Sequence, residues 1–342
     1  MRSIRKIVRV IIWNFQEGIV YFFRFAIIRM STTTLFTYEN SKKQDGVGAQ
    51  VQRIFAIYTL CNFFQLGYIH SPIKSVAIHP LDSYQNQKEL KQFLVKLNDA
   101  IELKKVRTLK YNTTLIVESI NIYKLFKILL IDKFMGRTTL VKIVEPYSIV
   151  DHFPNQYSCV SKALVNDFFK IHDYANGDIS NSFIVIHHRR GVGGFVIQSG
   201  ESIPREIEFD YYKRVLSKIL KSLPSKKEVN VKILSDSPDE DFFFVPSEDQ
   251  KYLWKDTPRY EKGRILIKGM RVKDSLNDLG VRSEYIVGGD PLDALRIMSQ
   301  AHFLIMSRSS LSYVGAILNG KGTVVFEKSF WHKPMTPWII EK

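Results

Sequence analysis

Residues 183–194, Phe183-Ile184-Val185-Ile186-His187-His188-Arg189-Arg190-Gly191-Val192-Gly193-Gly194, decide how this chain folds. An apolar, β-branched run closed by two histidines predicts a short buried strand, Phe183–His188. It leads directly into two arginines and a glycine-rich turn. Paired guanidinium groups at a strand's carboxyl end are poor core material, because a buried cation needs a partner. Their fork geometry suits phosphate, they keep their charge, and the glycines let backbone approach a ligand. A solvated basic loop is the plain alternative, and the flanking histidines and the strand context argue against it.

Toward the carboxyl terminus the pattern alternates. The spacing predicts a helix over 209–223, a strand over 229–234, and short strands over 264–268 and 284–287. A helix over 291–301, a strand over 303–307, a helix over 310–319 and a strand over 323–326 follow. Such alternation implies a parallel, doubly wound sheet, whose ligand lies beyond the carboxyl ends of its strands. Those ends are polar. One runs into Arg189-Arg190, one into Ser235-Asp236-Ser237-Pro238, and one into Ser307-Arg308-Ser309-Ser310 at a helix start. Hydroxyls and backbone N–H groups at a helix N-terminus attract an anion, although plain N-capping explains serines there equally well. Upstream, Asp290 and Asp293 are suited to capping a helix or to holding a base or ribose.

Toward the amino terminus, residues 173–181 (DYANGDISN) are turn-rich and predict a linker. Before it, a strand-like run over 32–38, a Gly46-Val47-Gly48-Ala49-Gln50 turn and an apolar helix-like segment over 51–64 open a further α/β unit. Helical periodicity over 87–104, a second apolar run over 123–134 and a last helix over 162–174 follow. The domains expected are therefore a basic amphipathic membrane-surface helix over 1–31, which would hold the protein peripherally on the cytoplasmic face of a membrane, an α/β domain over 32–176 and a second α/β domain over 177–342.

Residues 1–30 are apolar, but Arg9, Asn14, Gln16, Glu17 and Arg24 interrupt the run, and charges are costly at a bilayer centre. No small-residue cleavage site follows. On a helical wheel Ile4, Val8, Ile11, Phe15, Ile19, Phe22 and Ala26 share a face, with Arg2, Lys6, Arg9 and Arg24 opposite. Such a helix suits an anionic membrane surface or docking on the protein's own core, and both readings stay open.

The chain has 342 residues, 45% hydrophobic and 24% charged, which is globular composition and excludes collagen-like or wholly disordered classes. Its 49 Lys+Arg exceed 34 Asp+Glu by 15, which favours an anionic partner. Two cysteines, Cys61 and Cys159, make neither a disulfide scaffold nor a zinc site, and point to a reducing, cytoplasmic setting. There is no GxxxxGK[ST] motif and no GxGxxG after a first strand, which disfavours ATPases and simple dehydrogenases. No aspartate-x-aspartate pair stands at a strand end, so no metal is expected. No nucleic-acid-binding module appears, and the excess charge concentrates in the amino helix and in residues 221–232. His70 and His79 read as structural, Trp331, His332 and Trp338 suit either lining a cleft or capping the core, and the glycosylation-type sequence Asn112-Thr113-Thr114 reads as chance.

Taken together, these motifs resemble the fucosyltransferase superfamily of GT-B glycosyltransferases, which includes family 11 α1,2-fucosyltransferases and core α1,6-fucosyltransferases. The H-x-R-R-x-D motif of that group is matched by His187 to Val192, and its tyrosine-bearing helix start by Phe209 to Lys213. Ser235 to Pro238, Asp293 to Ser310, Gly315-Ala316-Ile317-Leu318-Asn319 and the amino-terminal G-x-G-x-Q at Gly46, Gly48 and Gln50 follow the group's remaining blocks, in order over most of the chain. The resemblance implies a GT-B fold with an acceptor-side amino domain and a donor-binding carboxyl domain facing each other across a cleft. By that analogy Arg189 and Arg190 clamp the diphosphate of GDP-fucose, Asp236 lies in the donor site, and His187 and Asp293 lie near guanine and ribose. Ser309 and Ser310 hold a phosphate, and Gly46, Gly48 and Gln50 form a loop facing the donor. The reaction implied is metal-free and inverting, onto a glycan or lipid-linked glycan. Glu201 and Glu206 are the nominees for general base. Val192 stands where the motif has aspartate, which leaves a different donor sugar, or a non-catalytic nucleotide- or glycan-binding protein, as alternatives.

Overall fold

The computed structural model describes residues 18–30, 33–39, 45–77, 82, 84, 86–103, 110–170, 183–189, 195–198, 201–204, 207–223, 229–236, 242–245, 260–261, 264–267, 276 and 279–341. The chain divides into two compact units. Met1–Asp45, Ala49–Val76 and Lys96–Ile171 form the first, and Gly46–Gly48, Ala77–Val95 and His172–Lys342 the second.

The first unit contains helix α1 (residues 18–30), β1 (Leu35–Tyr38), α2 (Val47–Phe64), β2 (Gly67–Tyr68), and α3 (Gln87–Ile101), whose first turns belong to the second unit. It continues with β3 (Thr113–Ser119), α4 (Ile122–Met135), β4 (Thr139–Glu145), α5 (Tyr147–Val150) and α6 (Ser158–Lys170). Its sheet has the order β2-β1-β4-β3, and every pairing is parallel. β1 is buried throughout and β4 nearly so, as strands of a covered parallel sheet must be. β3 is the edge and largely exposed.

Helix α4 is closed at both ends by local chemistry. The Asn121 side chain accepts from the Lys124 backbone N–H, and Gly136, at φ 59°, takes the left-handed cap that favours glycine. Buried Asp132 accepts from Thr34, Arg137 and Thr139 at 2.7–2.8 Å, tying the end of α4 to the starts of β1 and β4. These contacts lie at the amino ends of the strands and leave the carboxyl ends to other work.

α1 docks on its own unit through Val20 and Ile27. Arg24 Nε donates to the Phe63 carbonyl at 2.7 Å, and its guanidinium lies 5.0 Å from the Phe63 ring centre. Arg24, set on the basic face of the wheel, faces the protein, and Phe22, set on its apolar face, is exposed. An arginine can do this because its stem is apolar and its head finds a carbonyl. The basic positions of residues 1–17 lie outside the described residues.

The second unit is built on β5 (Phe183–His188), α7 (Phe209–Ser222), β8 (Asn230–Ser235), β12 (Arg282–Val287), α8 (Pro291–Gln300), β13 (Phe303–Ile305), α9 (Ser310–Leu318), β14 (Thr323–Glu327) and β15 (Ile339–Glu341). Its main sheet has six strands, all paired in parallel, in the order β12-β8-β5-β13-β14-β15. Counted along the chain within this sheet, that order is 3-2-1-4-5-6, the arrangement of dinucleotide-binding folds. α7 sets Phe209, Tyr212, Leu216 and Ile219 on one face, at helical spacing, against Ile184, Ile186, Val231 and Ile233. The α/β class with two parallel sheets expected from the sequence is present.

Residues 264–268, expected to add to the parallel sheet, depart from it. β11 (Arg264–Ile267) pairs antiparallel with β9 (Phe242–Phe244) and β10 (Tyr260–Glu261) in a small separate sheet. A run as short as Arg264-Ile265-Leu266-Ile267 has the composition of a strand and no mark of which partner it takes. β6 (Phe195–Gln198) and β7 (Glu201–Pro204) form a hairpin after β5. Asp82 bridges Gly289, and Tyr84 stacks on Phe93 at 4.2 Å, within the second unit.

Candidate functional site

The strand order of the second sheet reverses between β5 and β13, and the carboxyl ends on either side of such a switch point frame a crevice. His187, on the last turn of the pleat of β5, meets Ser307, just past β13, with Nδ1 2.9 Å from Oγ. Both residues are buried. Burial pushes the His187 imidazole down to about 4, nearby Asp236 opposes the shift and Arg189 adds to it. The ring is therefore neutral at physiological pH, a polar post rather than a cation. His188, one residue on, points to the opposite face and packs edge-on against Phe209 and Tyr212 at 5.5 and 5.2 Å. It belongs to the core under α7.

The neighbouring strand ends carry two more polar pairs. His188 and Ser235 are register partners, which brings Arg189 beside Asp236, with Nε 3.6 Å from Oδ2. Both side chains are partly exposed, at 18% and 25%. At that distance the contact is an ion pair rather than a tight hydrogen bond, and one ion pair does not exhaust the five N–H donors of a guanidinium. On the other side Arg308 Nε donates to Glu327 Oε2 at 2.8 Å, and the Ser329 N–H donates to the same oxygen at 2.9 Å. Polar pairs thus link β8 to β5, β5 to β13, and β13 to β14 along one edge of the sheet.

The hydroxyl-rich turn is divided in its duties. Ser309 is buried, and its hydroxyl accepts from the Leu311 N–H at 3.3 Å as the N-cap of α9. Ser312 Oγ accepts from the Ser307 N–H at 3.1 Å. The Ser309 hydroxyl, expected on a phosphate, gives a lone pair to the cap and keeps its O–H donor. Ser310 is the first residue of α9 and half-buried.

Gly48 reaches the same place. A β-carbon on Gly48 would stand 2.3 Å from the Leu311 backbone nitrogen and 2.5 Å from its Cα. The start of α2 therefore rests backbone on backbone against the first turn of α9, and Gly46–Gly48 belong to the second unit with it. The first turn of α9 carries the positive end of its dipole there. Gln50 does not share this role. It is fully buried, and its Nε2 donates to the carbonyls of Asp45 at 2.8 Å and Ser75 at 2.6 Å. Gly48 and Gln50 are helical, not loop, residues, and two residues of helix turn a side chain by about 200°, so Gln50 points away from the Gly48 contact.

Asp290 caps α8 by accepting from the Leu292 N–H at 2.8 Å. Asp293, in the first turn of α8, is half-exposed and holds Arg296 Nη1 at 2.5 Å. Its helix follows β12, the strand two places from β5 in the sheet order. Arg190 and Glu206 lie outside the described residues, as does Val192. Glu201 opens β7.

Sequence reasoning missed a second cluster, at the corresponding edge of the first sheet. The order β2-β1-β4-β3 reverses between β1 and β4. There Arg53, 6% exposed, puts Nη2 2.5 Å from Asp45 Oδ2 and 3.3 Å from Glu145 Oε1, and Nη1 3.4 Å from the Tyr38 hydroxyl. Burial raises the Tyr38 phenol, and Arg53 works against that rise. Tyr147 donates to the Ala49 carbonyl at 3.1 Å. The signal was a single arginine within the apolar helix VQRIFAIYTL, since a buried cation implies carboxylates around it. Its effect is to anchor Asp45, the residue before Gly46. Arg308, whose partner Glu327 lies 19 residues on, was likewise passed over as the variable residue of a serine motif.

A scan against known protein families finds no match for this chain, and a search of curated proteins finds none. Solved structures with a similar chain path include POFUT1 in complex with GDP, at 9% identity and TM-score 0.41, covering 85% of this chain and 96% of that one. The E. coli heptosyltransferase WaaC with ADP-2-deoxy-2-fluoro heptose is 10% identical at TM-score 0.35, covering 90% and 92%. S. aureus MnaA with UDP is 10% identical at TM-score 0.32, covering 86% and 79%.

Proposed function

We propose that the carboxyl edge of the second sheet binds a nucleotide sugar and that the protein is an inverting, metal-independent glycosyltransferase. Its donor in this reading is GDP-fucose, and its acceptor a hydroxyl of a glycan or lipid-linked glycan. The observation that carries the reading is the His187–Ser307 contact: buried polar groups meet where the order of a 3-2-1-4-5-6 sheet reverses, the position at which this architecture takes a nucleotide. The ordered fucosyltransferase-like motifs supply the donor's identity.

In this reading Arg189, aimed by Asp236, binds the pyrophosphate together with Arg190. The first turn of α9 at Ser310 and the close-packed Gly48 offer N–H groups to the same anion. Asp293, farther along the edge, suits the nucleoside end. As the acceptor oxygen bonds to the anomeric carbon, the bond from that carbon to the β-phosphate oxygen breaks and GDP leaves with the electron pair. The acceptor proton passes to a base, for which Glu201 and Glu206 are the nominees. Charge grows on the departing phosphate, so Arg189 stabilises the transition state more than the bound donor.

The second reading is a nucleotide-binding protein without transfer activity, favoured by Val192 at the motif's aspartate position. Incubating the protein with a panel of sugar nucleotides and membrane extract, and weighing the products by mass spectrometry, separates the two. A deoxyhexose added from GDP-fucose supports the enzyme. GDP binding with neither transfer nor donor hydrolysis supports the second reading.

A further inference from the structure

Helices α1 and α4 lie side by side on the first unit. The Phe23 ring meets Tyr123 at 5.5 Å and Phe126 at 5.1 Å. Each helix buries one stripe and exposes the opposite one. In α1, Val20 and Ile27 are buried, while Tyr21, Phe22, Phe25 and Arg29 stand in solvent at helical spacing. In α4, Ile122, Leu125, Leu129 and Asp132 are buried, while Tyr123, Lys127, Ile131 and Phe134 form the outer stripe, flanked by Lys124 and Met135. Two adjacent helices with their inner stripes on one core turn their outer stripes to the same side. Phe22 is 69% exposed and Phe134 82%, unusual for phenyl rings with a core available to them. A contiguous apolar face of this kind marks an interaction site.

The charge on this face selects the partner. Arg29, Lys124 and Lys127 interleave with the rings, and Lys133 flanks them. The single acid within the two helices, Asp132, is buried against Thr34, Thr139 and Arg137. A second copy laid face to face would set cation against cation. The headgroup layer of an anionic bilayer takes aromatic rings at its apolar boundary and cations at its phosphates. No helix among the described residues is long and apolar enough to cross a membrane.

We propose that the outer face of α1 and α4 docks on an anionic lipid surface. This inference needs no nucleotide and stands or falls apart from the proposed function. The test is co-sedimentation of the full chain with vesicles of phosphatidylcholine alone and of phosphatidylcholine mixed with phosphatidylglycerol. The expected result is binding to the anionic vesicles only, weakened by salt. Substituting Lys124→Glu, Lys127→Glu and Lys133→Glu together, or Phe22→Ser with Phe134→Ser, should lower that affinity about tenfold or more with a cooperative thermal transition retained; the triple variant melts somewhat lower, since Lys124 Nζ donates to the Ser119 carbonyl and Lys133 stands in the last turn of α4. The α4 substitutions separate this face from Arg2, Arg5, Lys6 and Arg9 earlier in the chain. Equal binding to both vesicle types, anionic binding indifferent to the α4 substitutions, or a lipid-free dimer abolished by them would each overturn the proposal.

Discussion

His187 and Ser307 are 120 residues apart in the chain, and their side chains meet at 2.9 Å across the switch point of the second sheet. The contact joins the strand that opens the unit to the strand that follows its crossover. Removing the hydroxyl leaves a buried imidazole nitrogen in need of a partner, which costs about 1–3 kcal/mol. Ser307→Ala should therefore lower stability by that amount in urea unfolding, and Ser307→Thr, which keeps the hydroxyl, should recover part of it.

The same histidine makes stability depend on pH. Its folded pKa, about 4, is below the unfolded value near 6.5, so between those limits the unfolded chain binds more protons. His187 therefore imposes no loss above pH 6.5, and stability falls as pH drops from there toward 4. A shift of this size corresponds to a loss on the order of 3 kcal/mol. His70, which burial also shifts down, acts in the same direction. Denaturant unfolding across this range should show a shallower decline for His187→Gln than for the wild type. Parallel curves would contradict the assignment.

Gly48 offers a test in which local and tertiary effects have opposite signs. In an ordinary helix Gly→Ala gains about 1 kcal/mol. Here the new methyl would meet the Leu311 backbone at 2.3 Å, and backbone cannot swing aside. Overpacking of this kind costs about 1–3 kcal/mol. Gly48→Ala should lower the melting temperature, whereas Gly18→Ala, with nothing within 4 Å, should not.

Arg53 sits between Asp45 and Glu145 with its own side chain buried. Arg53→Met leaves two carboxylates facing each other without their cation; both are partly exposed and screened by water, so the loss is about 1–3 kcal/mol. Urea unfolding of Arg53→Met and of the triple variant Arg53→Met, Asp45→Asn, Glu145→Gln measures it, and the triple variant should regain much of the deficit.

These contacts also mark what a reader of the chain alone can and cannot see. Phe183–His188 falls where the pattern places it, because a short apolar run bounded by charge and glycine has few other readings. β3 and β4 were not anticipated. β3 is an exposed edge without clean alternation, and β4 carries Lys142 in an otherwise buried run. The two histidines were legible as a motif, but not their division between a neutral post facing Ser307 and a ring packed under α7. That depends on which face of the pleat each occupies. The Arg53 cluster joins residues 92 positions apart, and nothing local names Glu145 as the partner. Serines before a helix were legible as a helix start. Which hydroxyl the helix takes for itself is decided by one residue of register.

The central claim is that the carboxyl edge of the second sheet holds a nucleoside diphosphate through Arg189. Calorimetric titration of GDP into the wild type and into Arg189→Ala tests it most directly. The account predicts binding to the wild type and a loss of about tenfold or more in the variant, since a charge-assisted contact contributes about 1.5–3 kcal/mol. Absence of GDP binding to the wild type, or equal affinity in the two proteins, would contradict it.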